Sequence, residues 1–431
     1  MPAFDSRDSH PGPVRLRNPT AAASALLALT GALLATACSD GVMGPAEPIT
    51  ELPRGLSAAE VEIVGASNAF AINVLGEVYR ASPDSTVFLS PLSASMALGM
   101  TLNGTAGDTR DQMSEMLGFG TLATTDINRS YRDLIDLLRG LDPRVELTIG
   151  NAIFHRSTFA VKAAFADALR TYFDAEVEGL DFDDPGAADV INAWVAAATE
   201  DRIDEIIDRP IDPLTMAFLL NAIYFKGDWT KEFDPSDSYD GPFHLAAGGT
   251  RDVRFMTKDD TLAYREAAAW QAVEMPYGGG AWAMTVAVPR DGYALADVVG
   301  DLDTLLDPRA DWIERPLQIH LPRFELEWER ALTDDLRALG MVDAFDPSLA
   351  DFTPMSDVPD LYVKSVRQKT FLKVDEVGTE AAAVTVVEIR ATSCCSGPPV
   401  VRADRPFMIA IRERLSGAVV FAGLIIQAPE A

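Results

Sequence analysis

The chain has 431 residues, 48% of them hydrophobic, so it is long enough to bury a large core and lacks the composition of a disordered or fibrous protein. Its 65 acidic and 36 basic residues give a formal net charge of -29, which makes nucleic acid a poor partner because phosphate backbones would be repelled. Three cysteines are too few for a disulfide framework and lack the paired spacing of a zinc site, so no metal or other cofactor is expected.

Residues 1–37 have the pattern of a signal peptide. Three arginines precede an apolar run over residues 21–35, which is too short to remain as a membrane-spanning helix. Small residues lead directly to Cys38, as in the bacterial lipobox, where the thiol is lipidated and becomes the new N-terminus. An ordinary cleavage after Ala37 satisfies the same small-residue rule. Both alternatives predict export, either as an outer-membrane or cell-surface lipoprotein or as a secreted protein.

A flexible tether is predicted over residues 38–56, where proline, glycine and small residues are frequent. If Cys38 is lipidated, this tether joins the lipid anchor to the folded domain. The remaining residues, 57–431, are predicted to form one large domain.

The domain opens with helical periodicity over residues 61–75, and Ser90-Pro91 has the N-cap pattern of a second helix. Further helices are predicted at 109–117, 127–138, 163–172, 190–199 and 332–339. Strands are predicted at 87–89, 215–225, 270–275, 282–288, 317–320, 361–374, 408–412 and 419–426. Because helices dominate early and strands late, without regular alternation, the pattern favours an α+β fold with a helical N-terminal half.

No enzyme site stands out in the sequence. None of the four histidines lies in an HExxH motif, and no GxSxG nucleophile elbow occurs. The acidic pairs near Asp181 and Asp301 do not fit the EF-hand pattern, and solvated clusters are expected in so acidic a chain.

One segment near the C-terminus departs from the rest of the chain. From Thr379 to Arg390 small and β-branched residues occupy the odd positions, while the charged residues Glu380, Glu388 and Arg390 occupy even ones. This alternation is typical of a strand with one buried face. The segment then runs into Cys394-Cys395-Ser396-Gly397-Pro398-Pro399, which cannot continue a central strand. The pattern alone fits an ordinary edge strand equally well.

Six segments resemble conserved blocks of the serpin family and follow one another in the family's order. They are residues 88–98, 192–195, 221–229, 321–324, 375–383 and 401–409. The resemblance implies the serpin fold, with mixed β-sheets and an exposed reactive-centre loop at about residues 376–406. It also implies a monomeric inhibitor of serine or cysteine proteases that acts as a suicide substrate. A non-inhibitory binding or chaperone module is the alternative, and a hydrolase is a distant third.

The resemblance also assigns roles to particular residues. The hinge at which the cleaved loop inserts into the central sheet corresponds to Glu376, Gly378, Thr379, Glu380, Ala381, Ala382 and Ala383. A cluster that controls sheet opening corresponds to Ser90, Ser93, Asn221, Trp229 and Gln368. Within it, Trp229 corresponds to the aromatic residue near the top of the sheet, where the loop enters. Gln368 replaces the histidine usual in the family, so pH-dependent control of opening is not expected.

The scissile bond can be placed only within a few residues. Counting the usual loop length forward from Glu376 ends at Thr392-Ser393, which suits proteases that prefer small or β-branched residues. Counting back from Phe407 ends nearer Cys395. Arg390 would suit a trypsin-like protease, and Cys394 and Cys395 are two further alternatives.

Overall fold

The computed structural model describes residues 48–379 and 398–429. The predicted signal peptide, Cys38 and the first part of the tether lie outside the described residues. So do the hinge residues Glu380, Ala381, Ala382 and Ala383 and the scissile-bond candidates Arg390, Thr392, Ser393, Cys394 and Cys395.

The helices are concentrated in the first half of the domain, as predicted. They are α1 (Ala58–Ala81), α2 (Pro91–Leu102), α3 (Gly107–Met116), α4 (Thr124–Leu138), α5 (Ala163–Phe173), α6 (Ala187–Ala198), α7 (Leu295–Val299), α8 (Leu302–Leu305) and α9 (Thr333–Ala338). A capping box between Ser57 and Glu60 begins α1. By length and composition α1 could cross a membrane, yet most of its apolar stretch is buried, as in a core helix.

Fifteen strands lie in the described residues. They are β1 (Val87–Leu89), β2 (Val145–Arg156), β3 (Glu176–Leu180), β4 (Ala217–Asp228), β5 (Tyr239–His244), β6 (Thr250–Glu266), β7 (Trp270–Tyr277), β8 (Trp282–Pro289), β9 (Ile313–Pro322), β10 (Phe324–Ala331), β11 (Arg367–Val374), β12 (Gly378–Thr379), β13 (Val400–Arg402), β14 (Phe407–Glu413) and β15 (Val419–Ile425).

The strands form two mixed sheets. The smaller has the order β10-β11-β12-β4-β2-β3, and the larger has the order β1-β15-β14-β8-β7-β6-β9-β13, with β5 also paired to β6. The pairs β2–β3 and β9–β13 are parallel, whereas the other pairs are antiparallel. Helix α2 packs against both β4 and β15 and so joins the two sheets across the main core. The α+β class and mixed sheets expected from the sequence are confirmed.

The sequence did not predict every strand. It missed β2, β3, β5, β6, β10, β12 and β13, and it started β11 at residue 361, six residues before the strand begins at Arg367. In β10, half-buried and exposed residues alternate after the buried Phe324, and glutamates fill most of the exposed positions, so the apolar signal is weak.

The part of the predicted tether that the structure describes contacts the domain. The N–H of Ile49 donates a hydrogen bond to the carbonyl of Gly279 (2.8 Å), and the Ile49 side chain packs against the core. Arg54 forms an ion pair with Glu60 (2.6 Å) and donates to the carbonyl of Asp133. Residues 48–56 therefore have defined neighbours.

Candidate functional site

Two residues of the predicted hinge, Gly378 and Thr379, lie inside the smaller sheet. Strand β12 pairs with β11 on one side, where Val374 is opposite Thr379, and with β4 on the other, where Thr379 is opposite Gly227. Both pairings are antiparallel. Among the described residues, β11 and β4 are joined only through β12. Gly378 and Thr379 therefore form the beginning of a strand in the middle of the sheet.

Gly378 and Thr379 fit this position for different physical reasons. A Cβ atom at Gly378 would lie 2.7 Å from Cα of Asp228 and would also collide with the carbonyl of Gly227, so only glycine allows this close approach. The Thr379 side chain is 2% exposed, and its hydroxyl lies 2.7 Å from the hydroxyl of Tyr277. Tyr277 is fully buried, and burial raises the pKa of its phenol.

Trp229 holds the chain just before the hinge. Its backbone N–H donates to the carbonyl of Val377 (2.8 Å), and its indole N–H donates to the carbonyl of Asp375 (3.0 Å). The indole also stacks on Tyr277, with ring centroids 4.4 Å apart. The tryptophan thus fixes both the backbone that leads to Thr379 and the tyrosine that contacts it.

Glu376 is buried rather than exposed, which corrects the predicted start of the exposed loop. Its carboxylate accepts a hydrogen bond from Ser238 (2.8 Å) and lies 3.8 Å from the guanidinium of Arg323. Its carbonyl accepts from the N–H of Phe233 (2.8 Å). Glu376 therefore lies in the packed part of the domain rather than in an exposed loop.

The other end of the loop is also built into a sheet. Strand β13 pairs with residues 318–320 of β9, and Gln271 donates a hydrogen bond to the carbonyl of Val400 (3.2 Å). Ala403 and Asp404, which follow β13, are buried. Of the loop predicted over residues 376–406, residues 376–379 and 400–404 are therefore part of the packed domain.

Gln368 joins β11 to the start of α2. Its side-chain oxygen accepts from the N–H of Ser90 (3.1 Å), and its amide nitrogen donates to the carbonyl of the same serine (2.8 Å). The hydroxyl of Ser90 donates to the carbonyl of Val420 (2.7 Å) and accepts from the N–H of Ser93. The amide makes both bonds at once, one as acceptor and one as donor.

Asn221 lies across the sheet from this pair. Its side-chain nitrogen donates to the side-chain oxygen of Asn151 on β2 (2.6 Å). Its backbone carbonyl accepts a long hydrogen bond of 3.4 Å from the hydroxyl of Ser93. The side-chain oxygen of Asn221 is buried and has no hydrogen-bond partner among the described residues. Within the described part of the chain, no side-chain bond joins Asn221 on β4 to Gln368 on β11.

The structure brings together four of the five residues predicted for the sheet-opening cluster. Trp229, which the resemblance places near the top of the sheet, lies apart from these four, because it follows Asn221 by eight residues, about 26 Å along an extended strand. It lies beside the hinge. Sequence reasoning missed Asn151, because β2 was not predicted, and Tyr277, because β7 was predicted to end at Met275.

A narrow cleft continues the line of β12 between β4 and β11. It is lined by residues 223–225 of β4, residues 371–373 of β11 and Thr379, and by Thr199, Arg202 and Ile203 after α6. Among the described residues, no group of three or more histidine, cysteine or acidic side chains could hold a metal ion. In this arrangement β4 and β11 are separated along the cleft, and the two residues of β12 lie between them at one end.

Comparison with known proteins identifies the family. The family described as "Serpin (serine protease inhibitor)" matches residues 65–428. Serpin B8 of Bos taurus is 34% identical over 367 residues, which cover 83% of this chain and 97% of that protein.

Solved structures agree with this match. Native tengpin, a thermophilic serpin, has a TM-score of 0.78 and 28% identity, with 89% of this chain and 97% of tengpin covered. Human thyroxine-binding globulin with its hormone also has a TM-score of 0.78, at 27% identity, with 86% and 100% covered. The chain belongs to the serpin family, a family of protease inhibitors rather than enzymes.

Proposed function

We propose that this chain inhibits a serine or cysteine protease as a suicide substrate. The protease nucleophile attacks the scissile carbonyl, the peptide C–N bond breaks, and the new amino terminus leaves with a proton, so that an acyl-enzyme remains. The freed arm then extends β12 along the cleft between β4 and β11 and carries the attached protease with it. The observation that supports this most directly is β12, which already pairs with both neighbouring strands.

The energy for trapping would come from the new strand. Insertion of about ten residues forms on the order of 10 to 20 backbone hydrogen bonds, each worth about 1 kcal/mol net. This total is comparable with the stability of a whole protease, about 5 to 15 kcal/mol, so distortion of the protease active site is energetically feasible. The native inhibitor must then be kinetically trapped above the inserted state.

The scissile bond is proposed to be Thr392-Ser393, with Arg390, Cys394 and Cys395 as alternatives. From Thr379 to Thr392 the arm has fourteen residues, which would span about 46 Å as a strand. Cleavage after Arg390 would shorten the arm by two residues. Mass spectrometry of the two fragments after reaction with a protease identifies the bond directly.

We also propose that the protein is exported as a monomer and held at the cell surface or outer membrane by a lipid on Cys38. The sequence before residue 48 supports this, and secretion after cleavage at Ala37 is the alternative. The anchor would place the inhibitor where extracellular proteases act.

The decisive experiment mixes the purified protein with a panel of serine and cysteine proteases and analyses the products on denaturing gels. A species that survives boiling, with the mass of protease plus truncated inhibitor, supports the proposal. Complete loop cleavage with full residual protease activity would instead favour the non-inhibitory alternative, and the hormone-bound relative shows that this fold can also carry ligand binding. Peptide hydrolysis by the protein alone would favour a hydrolase.

A further inference from the structure

The segment between α6 and β4 passes beside the cleft, and its two sides contact the sheet differently. We call residues 199–212 the strap. Three isoleucines on it, Ile203, Ile207 and Ile211, are buried in one apolar cluster with residues of α6, β2 and β4. The side-chain oxygen of Asn192 on α6 accepts hydrogen bonds from the N–H groups of residues 206 and 207 (3.0 and 2.9 Å). The strap is therefore fixed to the β2–β4 side of the cleft by packing and buried hydrogen bonds.

The contacts of the strap with β11, on the opposite side of the cleft, are made by cations. Arg202 on the strap lies over the ring of Phe371, 5.3 Å from its centroid, and two further cations lie on β11 itself. Arg367 donates to the Asp208 carboxylate (3.0 Å) and to the carbonyl of residue 206. Lys369 donates to the carbonyl of Glu205 (3.3 Å), and its ammonium lies 4.0 Å from the carboxylate of residue 204. Arg367 also lies 3.5 Å from residue 329 on β10, so it is paired on its own side as well.

This asymmetry has a mechanical consequence. When β11 moves away from β4, the apolar contacts of the strap move with β4 and stay intact, whereas the contacts of Arg367 and Lys369 must stretch or break. Exposed ion pairs are weakened by salt, but buried apolar contacts are not. The strength of the fastening should therefore depend on ionic strength.

We infer that Arg367 and Lys369 fasten β11 to the strap and thereby set how readily the sheet opens for the cleaved arm. The inference rests on the proposed function, because opening matters only if the arm inserts. If it is correct, the two cations influence whether a cleaved inhibitor traps the protease or releases it in active form. Weaker fastening should favour trapping, at the cost of faster spontaneous insertion of the uncut loop.

The test compares the double variant Arg367→Gln/Lys369→Gln with a matched control, Arg209→Gln. Arg209 lies on the same strap and is half-exposed, but its ion pair with Asp189 (2.5 Å) joins the strap to α6 and does not cross the cleft. Each removed cation should speed the conversion of uncut protein to a heat-resistant form about two- to fivefold at low salt, as expected for exposed ion pairs. In 0.5 M NaCl the wild-type rate should approach that of the double variant.

Asp208→Asn provides a second variant that keeps β11 unchanged, since Asp208 is largely exposed and its replacement should not disturb folding. Asp208→Asn should also speed conversion to the heat-resistant form, but by less than the double variant does. A double variant that converts at the same rate as Arg209→Gln would overturn the inference.

Hydrogen exchange separates this inference from the proposed function, because it needs no protease. Peptides covering residues 199–212 and 367–374 should exchange faster in the double variant than in the control. If the wild-type protein traps no protease but this difference is seen, the proposed function fails and the fastening of the strap stands. If the wild-type protein traps protease and exchange is unchanged in the double variant, only the fastening fails.

Discussion

Replacement of Thr379 by arginine tests the central step of the proposed mechanism. Thr379 is 2% exposed between two strands, and its hydroxyl is bonded to a fully buried tyrosine. A guanidinium buried there without a bonded anion costs about 3 to 5 kcal/mol, so the arginine should leave the sheet in the uncut protein and would have to re-enter it when the cleaved arm inserts. A barrier higher by about 3 kcal/mol slows a step by about 100-fold. Thr379→Arg should therefore leave the loop cleavable but make insertion too slow to trap the protease.

The assay is a titration of protease with increasing inhibitor, followed by residual activity and denaturing gels. Thr379→Arg should give cleaved inhibitor and active protease, with at least about 100-fold less covalent complex per cleavage. Two controls separate charge from size and from hydrogen bonding. Thr379→Ser keeps the hydroxyl and should trap normally, while Thr379→Val leaves Tyr277 without its partner and should lower stability by about 1 to 3 kcal/mol yet still trap. Undiminished complex formation by Thr379→Arg would refute insertion at this position.

Three further predictions concern stability, pH and location. Gln368→Ala leaves the N–H of Ser90 without its partner, while the Ser90 carbonyl still accepts from the N–H of Ala94, so chemical denaturation should show a loss of about 1 to 3 kcal/mol; no loss would contradict the role of the amide. Burial, assisted by the nearby Arg402, lowers the pKa of His320 to about 4. Because the unfolded histidine binds a proton below about pH 6.5, the free energy of unfolding should fall between about pH 6.5 and 4, by roughly 3 kcal/mol, and His320→Gln should remove that fall. Cys38→Ser should move the protein from the membrane to the soluble fraction, and an unchanged membrane fraction would exclude the lipid anchor.

Sequence patterns predicted the elements that have a simple periodicity. Helices such as α1 and α2 were found because capping residues and apolar spacing agree. Strand β6 was missed because its seventeen residues pair with three different strands, so its burial follows several neighbours rather than one alternation. Short β12 could not be predicted from propensity at all, since its two residues depend on the long-range contacts with β4 and β11.

The contacts of the functional residues also depend on parts of the chain that are distant in sequence, which limits their prediction. The resemblance placed Ser90 and Gln368 in one cluster, and the structure joins them directly. It could not show that Asn221 bonds to Asn151 instead of to the β11 side, because an amide can donate and accept in many directions. Nor could it show that Glu376 is buried, since a carboxylate in a glycine-containing segment favours an exposed turn until Ser238 and Arg323 are placed beside it.

The two residues of β12 also fix which side chains of the cleaved arm would face the protein interior. Side chains alternate along a strand, so a shift of one residue would exchange the buried and exposed faces. The close approach at Gly378 and the bond from Thr379 to Tyr277 oppose such a shift. In this register the small and β-branched residues at odd positions would face inward, while Glu380, Glu388 and Arg390 would face solvent. Because Thr379 is already paired, the register of the cleaved arm is set before insertion begins. Insertion can therefore proceed as extension of an existing strand.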